Sequence, residues 1–262
     1  YPCYTPDEVF QDFGPHVESW ARANNFDYQA IRAGILEFQS NVANSVNNEM
    51  LSSFAAEGGR TAFLHWLQDF PQVWAWLELK AALSMDLLRD WRAIIDDLPG
   101  EKQLSTHAFM PPFSRITGFD FKNAGKICDS ISPKFYTMHW CLMVQQWGRW
   151  ILKRHSTLNE SLVTRALVNL LQLADGSLSD DASLDDYAYP TPDQTHPIGK
   201  GAQIEKLEEV MAKVDGRSKV FPLVHGYGPP EDFARRFEIG ASIKDGVWVN
   251  RYGYLSDEKL AA

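Results

Sequence analysis

Histidine, aromatic and amide side chains recur just after short apolar runs in the second half of the chain. These side chains are His107, His139, Trp140, His225, Tyr227, Asn250, Arg251 and Tyr252. Aromatic rings stack on the apolar faces of sugars, while imidazole, amide and guanidinium groups form hydrogen bonds with sugar hydroxyls. The pattern predicts a carbohydrate-binding cleft. For any single residue the alternative is packing, with the ring in a core and the histidine bonded to a buried partner.

Hydrolysis of a glycosidic bond normally requires two carboxylates, and the residues that follow the apolar runs contain no clear pair. Asp120 is the nearest catalytic candidate, although an aspartate at this position also suits a helix cap. Asp245 precedes its apolar run, while Glu231 and Asp232 lie in the first turn of a predicted helix, where negative charge is favoured. The catalytic carboxylates therefore stay unassigned.

Two alternatives to a glycoside hydrolase remain open. His107, His139 and His225 could ligate a metal, as in amidohydrolase-type barrels, but Asn250-Arg251 stands where that class needs an acidic ligand. A guanidinium beside a divalent cation is unfavourable, so we expect no bound metal. No nucleotide-binding glycine motif is present, and we expect no cofactor. The missing carboxylate pair favours the other alternative, a non-catalytic carbohydrate-binding barrel.

The elements that must position these residues change in character near residue 100. Residues 1–100 have helical periodicity, with long helices predicted over 27–57 and 71–96, each about 40 Å long. The predicted apolar face of the second helix comprises Trp74, Leu77, Ala81, Leu88, Trp91 and Ile95. Further on, helical stretches alternate with predicted strands over 104–110, 135–140, 220–224 and 246–250. The polar stretch over 175–200 is predicted to be a long excursion or lid.

This alternation predicts an α/β fold with parallel strands, and four such units make half of a (β/α)8 barrel. An open doubly wound sheet also fits the periodicity. Because the carboxyl ends of parallel strands meet at one edge, we expect six residues to converge there on one pocket. They are His139, Trp140, His225, Tyr227, Arg251 and Tyr252.

Short motifs connect the chain with a known family. Residues 128–136 read CDSISPKFY and resemble the "D-x-I-x-P-M-x-Y" strand of hypothetical glycoside-hydrolase-like TIM barrels. The upstream GFD at 118–120 resembles their "G-x-D", and DGVWVNRYG at 245–253 resembles their closing strand. The first four residues, YPCY, resemble a loop past their fourth strand. Lys134 departs from the pattern, since the family has Met there.

The resemblance covers roughly residues 104–255 and the first few positions. It implies a partial TIM barrel in which residues 1–100 form a helical insertion after the fourth strand and residues 101–262 form the last four β/α units. Strands one to four would then lie upstream of Tyr1, together with the usual acid/base residue. The chain alone would be catalytically incomplete.

Composition restricts the partners. The 262 residues are 45% hydrophobic and 23% charged, which is typical of a globular protein. The 25 basic against 34 acidic residues give a net charge of -9, which argues against a nucleic-acid partner. No apolar run approaches the roughly 18 residues of a membrane helix. Three cysteines and the absence of a secretory-type leader leave the compartment open. The long helices are expected to form a hairpin that packs either over the cleft or against another subunit, and the second arrangement predicts a homo-oligomer.

Overall fold

Helices dominate the described residues up to Asp96 in the computed structural model of the chain, and parallel strands alternate with helices after them. The structure describes residues 9, 10 and 13–261, so the YPCY segment lies outside the described residues. In this part of the chain no helix has the length and apolar character needed to cross a membrane.

Five helices whose bounds lie within the described residues precede the strands. They are α1 (Pro15–Ala23), α2 (Tyr28–Asn44), α3 (Asn48–Ala55), α4 (Gly59–Leu67) and α5 (Pro71–Asp96). The single helix predicted over 27–57 is wrong, because Asn47 caps a new helix: its side-chain oxygen accepts a hydrogen bond from the Met50 N–H at 3.0 Å. The helix predicted over 71–96 is confirmed by α5, whose 26 residues span about 39 Å.

The second part alternates strands and helices as predicted. It comprises β1 (Ser105–Phe109), α6 (Phe113–Ile116), α7 (Phe121–Ala124), β2 (Ser130–Phe135), α8 (Thr137–Arg154), α9 (Glu160–Leu171), a 3-10 turn (Leu184–Tyr187), α10 (Lys200–Val214), β3 (Lys219–Val220), β4 (Leu223–His225), α11 (Pro230–Ala241), β5 (Trp248–Asn250), a 3-10 turn (Tyr252–Tyr254) and α12 (Asp257–Leu260). The stretch over 175–199 contains no α-helix or strand, as expected.

The strand predicted over 135–140 is wrong. The strand ends at Phe135, and Thr137 begins α8. The local run Phe-Tyr-Thr has high strand propensity, but propensity yields to tertiary packing. Met138, Cys141 and Gln145 are buried at spacings of three and four residues, which is the spacing of one helix face.

All strand pairs are parallel, and the sheet order is β1-β2-β4-β5, with β3 also paired to β2. Neighbours in the sheet are therefore neighbours in sequence. β3 and β4 lie one after the other along the same side of β2. The pairing stops after Ile131–Val220 and resumes at Lys134–Leu223, with Pro133 at the break. Pro133 and Pro222 both lack an N–H, so the ladder cannot continue through this point.

The sheet is buried on both faces at β2 and β4. Ile131, Phe135, Val220 and Val224 are all fully buried. A central parallel strand covered on both faces reads as a continuous apolar run rather than an alternating one. These strands thus provide a rigid base from which their carboxyl ends present side chains.

The chain divides into two compact units that are interleaved in sequence. One holds residues up to 80 and 142–188, and the other holds residues 81–141 and those from 189 onward. The first is helical; Phe38, Trp66 and Phe70 pack in its core with ring centroids 5.2 to 5.5 Å apart. The second contains the whole sheet. The proposed division into 1–100 and 101–262 stays a prediction.

Candidate functional site

Three strands deliver side chains to one edge of the sheet. β2 leads directly into Tyr136, β4 ends at His225, and β5 ends at Asn250. Together with nearby rings they form what we call the aromatic–histidine cluster, all of it within the sheet-containing unit. Its members are Tyr136, His139, Tyr189, His225, Tyr227, Asn250 and Tyr254.

Tyr136 is the centre of the cluster. Its ring meets the imidazole of His139 edge-on at 5.5 Å and that of His225 at 5.0 Å, measured between centroids. The side-chain amide of Asn250 donates a hydrogen bond to the Tyr136 hydroxyl. These contacts fix the side chains that follow three separate strands relative to one another.

Two exposed tyrosines border the cluster. Tyr189 is 41% exposed and Tyr254 is 48% exposed, and their rings lie 5.7 and 5.4 Å from the ring of Tyr227. Tyr227 itself is buried, and its hydroxyl donates to the Pro190 carbonyl at 2.8 Å. Lys259 donates to the Tyr254 carbonyl at 3.0 Å, which ties that margin to α12. The cluster has a buried floor and aromatic faces open to solvent.

Both imidazoles of the cluster are neutral near pH 7. Burial, aided by Arg236 and other cations, lowers the pKa of His225 to about 4. Burial and the charge of Lys134 lower the pKa of His139 to about 4. The Tyr227 N–H donates to Nδ1 of His225 at 3.1 Å, so the proton of this neutral ring lies on Nε2. His225 therefore offers a hydrogen-bond donor without a charge.

A buried network of polar side chains lies next to the cluster. Thr137 Oγ1 lies 2.6 Å from Nδ1 of His196, and Asp232 Oδ2 lies 3.3 Å from the same nitrogen. Asp232 also pairs with Arg235 and Arg236. Burial raises the pKa of Asp232 against the opposing effect of both guanidinium groups. Burial also lowers the pKa of His196 to about 3.

Arg236 links this network to the loop after β4. Its guanidinium donates to the backbone carbonyls of His225, at 2.9 Å, and of Tyr227. The side chain is fully buried, and one carboxylate neutralises it on the same helix. Arg236 therefore fixes the main chain that carries two cluster residues.

Comparisons with known proteins identify no relative. No family model matches the chain, and comparisons with curated proteins and with solved structures gave no match. The resemblance to glycoside-hydrolase-like barrels thus remains a hypothesis that rests on the sequence motifs.

Four of the eight sequence-predicted binding residues meet in the cluster: His139, His225, Tyr227 and Asn250. Arg251 and Tyr252 follow β5 at the same edge of the sheet, and both side chains are exposed. Tyr252 is 76% exposed. Arg251 is exposed to solvent. Solvent or a carboxylate partner is what an arginine charge requires, because burying it unpaired is costly.

Trp140 and His107 lie elsewhere. Trp140 is fully buried, and its ring packs against Phe113 and Phe135 at 6.4 and 5.6 Å, so it is part of the hydrophobic core. The expected convergence of Trp140 on the pocket is therefore not seen. His107 lies within β1, paired in register with Ser132, before the strand reaches its carboxyl end.

Asp120 caps α7. Its carboxylate accepts hydrogen bonds from the backbone N–H groups of Lys122 and Asn123 at 2.9 and 3.3 Å, and Arg115 lies 3.9 Å away. It pairs with Arg115 rather than with Arg251. Asp245 accepts from the Val220 N–H at the edge where strands begin. Neither carboxylate contacts the cluster.

Sequence reasoning missed Tyr189, His196 and the pairing of Asp232 with Arg236. The four-residue spacing of Asp232 and Arg236 was a readable signal, because such residues are neighbours on a helix. Tyr189 and His196 fall in the irregular stretch over 175–199, where no periodicity locates a side chain. Their positions depend on tertiary contacts alone.

No metal-ligand set is found in the described part of the chain. There, no three side chains of His, Cys, Asp or Glu lie in an arrangement that could hold a metal ion. His139 and His225 each pack edge-on to the ring of Tyr136. The metal-dependent hydrolase alternative has no support from these residues.

Proposed function

We propose that the aromatic–histidine cluster binds an uncharged carbohydrate. The observation that carries this proposal is the Tyr136 centre, with two neutral imidazoles edge-on to its ring and an amide on its hydroxyl. Neutral donors and acceptors among aromatic faces suit a ligand that has hydroxyl groups and apolar faces but no charge. The exposed rings of Tyr189 and Tyr254 would provide the stacking surfaces.

The fold that we propose for this site is a partial (β/α)8 barrel, in which the sheet supplies consecutive strands. The support is the sheet order, because sequential neighbours with parallel pairing are what adjacent barrel strands have. In such barrels, ligands bind at the carboxyl ends of the strands. The cluster occupies that edge.

Binding without catalysis is the function that the described side chains support best. A glycosidase needs a proton donor and a second carboxylate within about 5–10 Å of each other. In the described part of the chain, Asp232 lies next to the cluster residues with two arginines paired to it. Asp193, whose charge acts on Tyr227, accepts a hydrogen bond from the Thr191 hydroxyl that lowers its pKa, so it is no proton donor. Glycoside hydrolysis remains the alternative, favoured by the raised pKa of Asp232, which suits a proton donor.

Titration calorimetry with a panel of neutral oligosaccharides tests the proposal. We expect saturable binding, weakened about tenfold in Tyr189→Ala, as the loss of one stacked ring predicts. Trp91→Ala is the matched control, since it removes an aromatic side chain of similar exposure from α5, and its affinity should equal that of the parent. Absence of binding to every neutral sugar at millimolar concentration, or equal loss in both variants, would contradict the proposal.

Release of nitrophenol from aryl glycosides distinguishes the hydrolase alternative. Turnover above the blank rate that disappears in a folded Asp232→Asn variant would favour catalysis. Binding without turnover would favour the non-catalytic site. The predicted homo-oligomer stays a prediction, which light scattering on the purified chain can test.

A further inference from the structure

A second polar concavity lies at the opposite edge of the sheet, where the strands begin. Its volume is about 940 Å³, which is within the usual size of small-ligand sites. Residues that immediately precede or start β1, β2, β3 and β5 contribute to its lining. We call it the amino-edge groove. It lies wholly within the sheet-containing unit and shares no residue with the aromatic–histidine cluster.

The lining of the amino-edge groove is basic, in contrast to a chain whose net charge is -9. The basic side chains are Arg92, Lys102, Lys126, Arg217, Lys219 and Lys244. Three acidic residues accompany them: Asp96, Asp129 and Asp245. Positive charge is therefore concentrated on one concave surface.

The acidic residues of the groove already have internal partners. Arg92 bridges Asp96 and Asp129, with nitrogen–oxygen distances of 2.6 and 2.7 Å. Asp245 accepts a hydrogen bond from the Val220 N–H at 3.0 Å. Each carboxylate of the groove is thus bound to another group of the protein. The lysine ammonium groups are then the charges available to a ligand.

Helix ends account for half of the basic residues. Lys126, Arg217 and Lys244 follow the ends of α7, α10 and α11 by two or three residues, where the helix dipole favours positive charge. Lys102 and Lys219 instead precede or begin strands. Both side chains are exposed, and neither ammonium group has a hydrogen bond or ion pair with a described residue; the Lys219 backbone N–H donates to the Asp129 carbonyl at 3.1 Å. Their charge is not required by the fold.

Strand register places these two lysines on either side of β2. Ser130 pairs with Ser105 of β1 on one side and with Lys219 of β3 on the other. Lys102 lies three residues before Ser105. β1 and β3 are therefore two strand spacings apart, about 10 Å. Flexible lysine side chains that extend from the two strands can reach two linked anionic groups between them.

We propose that the amino-edge groove binds a small polyanion with two or more linked phosphate groups, held by Lys102 and Lys219. Ammonium groups form charge-assisted hydrogen bonds with phosphate oxygens, and a second phosphate adds contacts without a second loss of translational freedom. The groove is of a size for a compact ligand rather than for an extended nucleic acid.

Calorimetry with inorganic phosphate, pyrophosphate and tripolyphosphate tests this site. We expect one ligand per chain and affinity that rises along that series. Lys102→Ala/Lys219→Ala should weaken tripolyphosphate binding about tenfold or more. Lys122→Ala/Lys153→Ala changes net charge equally at exposed lysines outside the groove and should leave the affinity unchanged.

The charge-conserving variant Lys102→Arg/Lys219→Arg should retain binding. Non-saturable binding, equal loss in the control pair, or binding of heparin and nucleic acid without binding of tripolyphosphate would overturn the proposal. Because the aromatic–histidine cluster lies at the other edge of the sheet, sugar binding should be unchanged in every one of these variants. If the protein binds no sugar at all, the polyanion proposal is unaffected.

Discussion

Gly228 has a backbone conformation that side chains disfavour, with φ of +97°. A Cβ at this position would lie 3.1 Å from His196 Nε2, 3.2 Å from Arg236 Nη2 and 3.3 Å from Asp232 Oδ2. The glycine therefore lets the main chain after β4 approach the buried network closely. A side chain here would disturb the groups that hold the loop of His225.

Gly228→Ala should lower the free energy of unfolding by about 1–3 kcal/mol, because it adds backbone strain and crowds three polar atoms. Sugar affinity should also fall as the His225 loop shifts. Gly253→Ala is the control, since nothing lies within 4 Å of its added Cβ. Urea titrations of both variants measure the difference; equal stability would show that the network tolerates displacement.

Trp140 illustrates how a residue type can suggest the wrong role. Its ring is buried against Phe113 and Phe135, so Trp140→Ala should cost about 3–5 kcal/mol through lost burial and a cavity. Thermal unfolding provides the measurement. Trp140→Phe should recover part of that stability. A Trp140→Ala variant that keeps its melting temperature but loses sugar affinity would restore the original prediction of a ligand contact.

At the scale of elements, α7 depends on Asp120. Asp120→Ala removes both cap hydrogen bonds and should reduce stability by about 1 kcal/mol, whereas Asp120→Asn should retain the cap. Chemical denaturation compares the two variants. If Asp120 were a catalytic carboxylate, Asn would abolish turnover while preserving the helix, so the two roles have opposite signatures.

The apolar face of α5 was predicted incorrectly. Trp74 and Trp91 are 44% and 50% exposed, while Trp76 and Leu79 are only 2% and 1% exposed. This helix carries apolar residues on more than one face, so periodicity alone does not show which face is buried. What packs against the helix decides between them.

At the scale of the whole molecule, three histidines with lowered pKa values, two of them buried and His139 half-buried, make stability depend on pH. The pKa values of His139, His196 and His225 lie at about 4, 3 and 4, below the ordinary value of 6.5. Unfolding in acid therefore takes up protons. The stabilisation is complete above about pH 6.5 and is lost as the pH falls from there through about 4. The raised pKa of Asp232 acts in the opposite direction.

We expect the free energy of unfolding, measured by urea titration, to fall between pH 7 and pH 5 by up to roughly 1.4 kcal/mol per pH unit for each proton taken up. His139→Gln/His225→Gln should make this dependence shallower. Asn250→Ala, which removes a neighbouring amide but no titrating ring, should keep it. Identical pH dependence in the parent and in the double histidine variant would contradict the assignment of neutral imidazoles.

The sequence by itself determined the change near residue 100, the alternation of strands and helices, and the bounds of α5. These features depend on local rules: apolar periodicity and a proline at the first helical position. It also identified His139, His225, Tyr227 and Asn250, because parallel strands place their carboxyl ends at one edge.

Tertiary structure alone decided the rest. Tyr136 became the centre through its contacts with His225 and Asn250, which lie far from it in the sequence. Tyr189 and His196 reach their positions through an irregular segment, where the contacts are long-range and the local sequence prefers no conformation. The same limit applies to burial: periodicity shows which residues share a face, but only the elements packed against that face determine whether it becomes core, as for Trp140, or surface, as for Trp91.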